Sequence, residues 1–200
     1  TFCRIAKYYF DNNYSKQEVR TLLDSFLKKC EPSASLPKWS ATLDYAVAKA
    51  SKYHAVILDC IEITKYEIER IDRLKGTQIR RLAFTLLCLS KYWNAVNPNG
   101  NSWVNSKDCE IMRMANINTS VKRQSLMYHQ LKEENMIQFS KKVDNTNVKV
   151  TFSNPGEVVL KITDFRNLGY QYLKFKGEAY FECQNCGLTV KKKSKGAGRP

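Results

Sequence analysis

Residues 103–152 constrain the fold more tightly than any other part of the chain. Trp103-Val104 is a short strand candidate, Ser106 is placed to cap a helix over 107–114, Asn116-Ile117-Asn118 makes a brief turn, and a second helix spans 120–134. On a helical projection of that second helix, Ser120, Val121, Gln124, Met127, Tyr128 and Leu131 fall on one face, and Lys122, Ser125, Leu126, His129 and Lys132 on the other. The first face is expected to pack and the second to stay free for a ligand. Asn135-Met136-Ile137 then leads into a strand over 137–143, the turn Asp144-Asn145-Thr146-Asn147, and a strand over 148–152. That is a hairpin with Lys141, Lys142 and Lys149 around its tip.

Directly upstream lies the most hydrophobic helix of the chain. Ile79, Leu82, Ala83, Leu86, Ser90 and Trp93 repeat at helical spacing over 77–96, and Asn97-Pro98-Asn99-Gly100-Asn101 ends it with turn chemistry. The formal net charge is +14, and it lies mostly beyond residue 75. A positive field of that size favours polyanionic partners.

Helix, short strand, helix, turn, helix and basic hairpin is the element order of a winged helix-turn-helix domain. Within it, Leu131-Lys-Glu-Glu-Asn-Met-Ile137 resembles the ending of that family's recognition helix, with Asn135 where the family usually has Gly. Asn tolerates the left-handed conformation such a helix end needs. The resemblance covers residues 77–152. It implies that helix 120–134 lies in the major groove of double-stranded DNA while the hairpin crosses the backbone. On that reading Lys122, Lys141, Lys142 and Lys149 contact phosphates, and Ser125, His129 and Lys132 are the first candidates for base edges. Asn145 and Asn147 of the hairpin turn join the candidate nucleic-acid contacts. Glu133 and Glu134 make the face only modestly basic.

The rest of the chain is arranged around this unit. Residues 1–14 mix aromatics and Asn without a defensible period. Ser15-Lys-Gln-Glu18 is a capping box, and Val19, Leu22, Leu23, Phe26 and Leu27 recur at helical spacing until Glu31-Pro32. Trp39, Leu43, Ala46, Val47 and Ala50 form another helical stripe. The apolar run 55–63 is β-branched enough for a strand, though close to a helix. Thr64-Lys-Tyr-Glu67 is a second capping box, with Ile68, Ile71 and Leu74 on one face and Gly76 at the helix end. After the hairpin, 158–162 reads as a strand, and Thr163 or Asp164 caps a helix carrying Phe165, Leu168, Tyr172 and Leu173, closed by Gly177. The expected architecture is mainly α with small β: an N-terminal helical region (1–75), a winged helix-turn-helix core (76–163), and a C-terminal helix with a knuckle-like tail (164–200).

In that tail, Cys183-Gln-Asn-Cys186-Gly187 between two strand candidates has the form of a zinc knuckle, a tight turn that brings two thiolates to one metal. Only half of a four-ligand zinc site is present. In ribbons that this tail resembles, a Gly-Arg-Pro-like stretch such as Gly198-Arg199-Pro200 precedes the second cysteine pair, so the natural protein is expected to continue. A pair of free or redox-active thiols is the alternative. Lys191, Lys192, Lys193 and Lys195 form either a solvated tail or a phosphate-binding arm, and Gly198-Arg199-Pro200 also resembles an AT-hook core. The other five of the seven cysteines sit singly among apolar or helical residues, which argues against a disulfide framework and for a reducing, intracellular setting. That means the cytoplasm of a bacterial or phage-infected cell.

Neither histidine, His54 or His129, has a Ser, Cys or Asp partner at catalytic spacing, and no phosphate-cradling Gly-rich loop occurs. No membrane span and no small-molecule substrate are expected. The expectation is a non-enzymatic DNA-binding protein, regulatory or replication-associated, resembling those of phages and mobile elements. A protein-interaction module, with the winged helix as a docking platform or homodimer surface, is the alternative.

Overall fold

The computed structural model describes residues 1–52, 58–97, 100–141 and 147–192. The chain is mainly helical with small antiparallel sheets and divides into two compact units, residues 1–57 and 58–200.

The first unit holds three helices, α1 (Phe2–Asp11), α2 (Lys16–Cys30) and α3 (Leu36–Ala50). The Ser15 capping box forms: Ser15 Oγ accepts from the Glu18 amide at 3.4 Å, and Glu18 accepts from the Ser15 amide at 2.8 Å. Val19, Leu23 and Leu27 of α2 then bury against Ala6 of α1 and Leu43, Ala46, Val47 and Ala50 of α3. Arg20 fastens α2 to α3, donating to Asp44 Oδ1 at 2.7 Å while also pairing with Asp24 one turn along. Helix α1 falls where the sequence showed no defensible period. It is held by Phe2, whose ring meets Phe26 and Trp39 edge-on at 6.1 and 5.8 Å.

The second unit begins with β1 (Ile61–Thr64), α4 (Lys65–Asp72) and α5 (Thr77–Val96). Helix α5 is its axis: Ile79 and every residue from Leu82 to Ser90 are buried, so the helix is enclosed on all sides. Around it run β2 (Trp103–Val104), α6 (Asp108–Met114), α7 (Val121–Glu133), β3 (Ile137–Phe139) and β4 (Val148–Val150). The three short strands form one antiparallel sheet in the order β2-β4-β3, so the later hairpin strand is central. The chain continues through β5 (Val158–Ile162), α8 (Leu168–Phe175), β6 (Tyr180–Glu182) and β7 (Thr189–Lys191). Strand β5 returns to pair with β1, matching Ile61 with Ile162, and β6 pairs with β7.

The expected divisions at 75/76 and 163/164 are corrected by this packing. Residues 58–75 belong with α5, because Ile68, Ile71 and Leu74 are buried in the same core. Glu67 supplies the polar tie. It is fully buried and completes the Thr64 capping box by accepting from the Thr64 amide at 2.8 Å. Its other oxygen receives Lys91 of α5 at 2.9 Å, and Ser153 Oγ and the Asn154 amide at 3.1 Å each. A buried carboxylate is tolerable only with such saturation. Helix α8 joins the same core through Tyr172, whose ring lies 5.4 Å from Phe84 and whose hydroxyl donates to Asp72 of α4 at 2.7 Å. Gly76, with φ +109°, is a turn inside this unit and not its edge.

Candidate nucleic-acid interface

Helix α7 is positioned from both ends. Ser120 caps its start, accepting from the Arg123 amide at 3.4 Å. At its end Asn135 takes φ +55°, and the Met136 amide returns to the Leu131 carbonyl at 2.9 Å. The turn before it is fixed by Asn116 at φ +56°, whose carbonyl accepts from Arg81 of α5 at 2.9 Å. Ser106 does not cap α6 as the sequence suggested. The helix begins one residue after Lys107 with no side-chain cap, and Ser106 instead accepts from Trp93 Nε1 at 3.4 Å.

Met127, Tyr128 and Leu131 of α7 enter the core, while Lys122, Ser125, His129 and Lys132 are exposed. The projected faces therefore hold at their centres and fail at the helix start. Val121 and Ser120, expected to pack, are exposed, Val121 by 80%. The first turn projects beyond the apolar floor, so position on the helix alone does not bury it. Leu126 is 60% exposed, on the face where the sequence placed it.

The outer residues of α7 flank an open groove of about 270 Å³, lined by Asp108, Val121, Gln124, Ser125, Tyr128 and His129 from the two helices and by Phe139 and Val148 from the sheet. Its floor is apolar and its rim polar. Tyr128 donates to Asp108 at 3.4 Å, and burial first, then the Asp108 carboxylate, pushes the phenol well above its ordinary pKa. The phenol thus stays neutral. Phe139 sets the positions of two sequence-predicted contacts: the His129 ring meets it edge-on at 5.2 Å, and the Lys132 ammonium lies 5.4 Å from its centroid.

Lys141 is exposed just beyond β3, whereas Lys142 and Asn145 lie outside the described residues. Lys149 is not at a hairpin tip. It is half-buried on the central strand, with Trp103 and Gln138 directly opposite on either side. Asn147 donates through Nδ2 to Asn105 Oδ1 at 2.7 Å, tying the start of β4 to the residue after β2. Arg123 was assigned to neither face by sequence. It is exposed and borders a second groove with Lys75, Thr77, Gln78, Leu126 and Gln130. Adjacent helical residues point about 100° apart, so Lys122 and Arg123 flank different sides of α7; that angular step was the available signal.

The remaining predicted residues gather elsewhere, in the β6–β7 hairpin. Cys183 and Cys186 occupy its turn, Lys191 ends β7 and Lys192 follows, both exposed; Lys193 lies outside the described residues, as does His54. Among the described residues no group of three or more His, Cys, Asp or Glu side chains could hold a metal ion, and no helix is long and apolar enough to cross a membrane. Compared with family models, with curated proteins and with solved structures, the chain matches none.

Proposed function

We propose that the segment 77–152 works as a winged helix-turn-helix that binds double-stranded DNA, with α7 against the major groove and the β3–β4 hairpin along the backbone. The observation that carries the reading is α7 itself: it buries Met127, Tyr128 and Leu131 and leaves Lys122, Ser125, His129 and Lys132 uncovered. The order α5-β2-α6-α7-β3-β4, the sheet order β2-β4-β3 and the +14 charge support it. Lys122, Arg123, Lys141 and Lys149 supply phosphate contacts. Ser125 and His129 are the groups placed to meet base edges, and Lys132 joins them at the far end of α7. The activity is binding without chemistry, fitted to a regulatory or replication-associated role.

Fluorescence anisotropy on random duplexes at stepped salt tests this. Affinity is expected to fall linearly on a log–log plot, with a slope of about −0.9 per phosphate contact. Lys122→Glu combined with Arg123→Glu should make that slope shallower by about two units. Absence of duplex binding at low salt would remove the proposal. The exposed Val121 and Leu126 favour a second reading, an apolar docking or homodimer surface on α7. It gains if duplex fails to bind while Leu126→Lys abolishes self-association in sedimentation.

A further inference from the structure

The β6–β7 hairpin has a feature that nucleic-acid binding does not use. Its strands are three residues each, too few to hold such a turn unaided, yet the turn is held from several directions. Within it, the Cys183 amide donates to the Leu188 carbonyl at 2.9 Å and the Gly187 amide to the Cys183 carbonyl at 2.8 Å, with Gly187 at φ +69°. The Cys183 sulfur receives the amides of Cys186 and Asn185 and the Cys186 thiol, which lower its pKa, so the two sulfurs are already side by side. Both cysteines are reduced, Cys183 half-buried and Cys186 exposed.

The hairpin is also docked on α8. Arg166 donates to the Cys186 carbonyl while pairing with Asp164, Asn167 Nδ2 donates to the Thr189 carbonyl at 3.0 Å, and Lys174 pairs with Glu182 at 2.9 Å. The rings of Tyr170 and Tyr180 stand 4.8 Å apart. Nothing about the Cys186 thiol is enclosed, so this is not an apolar cysteine filling a core. Amides aimed at one sulfur, a second sulfur beside it and a left-handed Gly after the pair form the geometry in which a thiolate is stabilised and kept open to a soft cation.

We propose that the Cys183–Cys186 turn is a two-thiolate clamp for a divalent cation of the zinc class. On binding, the two thiols release their protons to solvent, both sulfurs coordinate the cation, and two of four tetrahedral positions remain for donors from outside the described residues. Residues 193–200 contain no Cys, His, Asp or Glu to fill them. Arg166 acts as a positioning residue, fixing the Cys186 carbonyl and setting a positive charge beside the thiolates.

Cobalt(II) titration of the reduced 200-residue chain tests the proposal, with zinc(II) as competitor. Expected are the intense visible bands of tetrahedral cobalt together with thiolate-to-cobalt charge transfer, displaced by zinc. Cys183→Ser and Cys186→Ser should each abolish the charge-transfer band, Cys109→Ser should leave it unchanged, and Arg166→Ala should weaken binding about tenfold. One metal per two chains with doubled mass in sedimentation, or one per chain without it, both support the clamp and separate a second copy from solvent as the further donor. Absence of a cysteine-dependent band, or a Cys183–Cys186 disulfide forming in its place under mild reductant, would overturn it. Circular dichroism of each Ser variant reports whether the fold survives, and zinc-dependent protection of the Cys183 and Gly187 amides from hydrogen exchange gives a readout free of substitution.

Discussion

Asp72 is the residue at which α4 and α8 are fastened, and its chemistry gives the fold a pH dependence. Tyr172 donates to one oxygen at 2.7 Å and Lys176 to the other at 2.8 Å. Burial acts to raise the carboxyl, but the Lys176 ammonium and the Tyr172 hydroxyl outweigh it and hold it below its ordinary range. A carboxyl with a folded pKa below its unfolded value stabilises the fold above the unfolded value, near 3.9, and loses that contribution as pH falls through the folded one. Asp72→Asn should therefore cost about 1–2 kcal/mol in urea unfolding at neutral pH, with the gap to wild type closing below about pH 3. A gap that stays constant from pH 7 to 3 would mean that the charge on Asp72 is not what fastens α8.

At the scale of elements, the joint between α8 and the α6–α7 turn depends on a missing side chain. Gly169 is buried in the first turn of α8, and a Cβ there would fall onto the Ala115 carbonyl at the end of α6. Backbone on the other side cannot move aside as a flexible side chain can. Asn116 bonds across the same joint, donating to Asn167 Oδ1 at 3.1 Å and accepting from the Tyr170 amide at 3.1 Å. Gly169→Ala should cost about 2–3 kcal/mol despite the better helix propensity of Ala, read as a lowered urea midpoint. Unchanged stability would show that α8 seats differently. This joint was not legible in the sequence, where Gly169 is one residue inside an apolar stripe. Elements whose burial follows their own period were legible: α5 over Thr77–Val96, the inner row of α7, and β5 over Val158–Ile162. So were both capping boxes, since their partners lie three residues apart. Helix α1 was missed although Phe2, Ile5, Ala6 and Tyr9 do follow helical spacing, because Tyr8 and Phe10 obscure it. The pairing of β1 with β5 joins segments about a hundred residues apart, and only the shared core chooses that partner. Of the candidate site, the outward row Lys122, Ser125, His129 was readable from projection. The dependence of His129 and Lys132 on Phe139 was not, since it needs the sheet beside the helix.

For the whole molecule, the decisive fact is that two apolar cores form from separate stretches of chain. One is built from buried residues between Ala6 and Ala50, the other from residues between Ile61 and Leu173. In the first, Arg20 is shared between Asp24 and Asp44, so one of its cations is spent internally. In the second, α7 and the sheet carry exposed Lys122, Arg123, Lys132 and Lys141, and most of the +14 charge lies in residues 58–200. A unit with its own enclosed helix and its own saturated buried carboxylate has what it needs to fold alone. Residues 58–200 expressed without 1–57 should therefore retain a single cooperative urea transition. Their log affinity for random duplex should fall with log salt at a slope within about one unit of the full chain. A slope shallower by two units or more, with the transition intact, would assign phosphate contacts to α1–α3 and move part of the proposed interface there. Loss of the transition would instead show that the second core depends on the first.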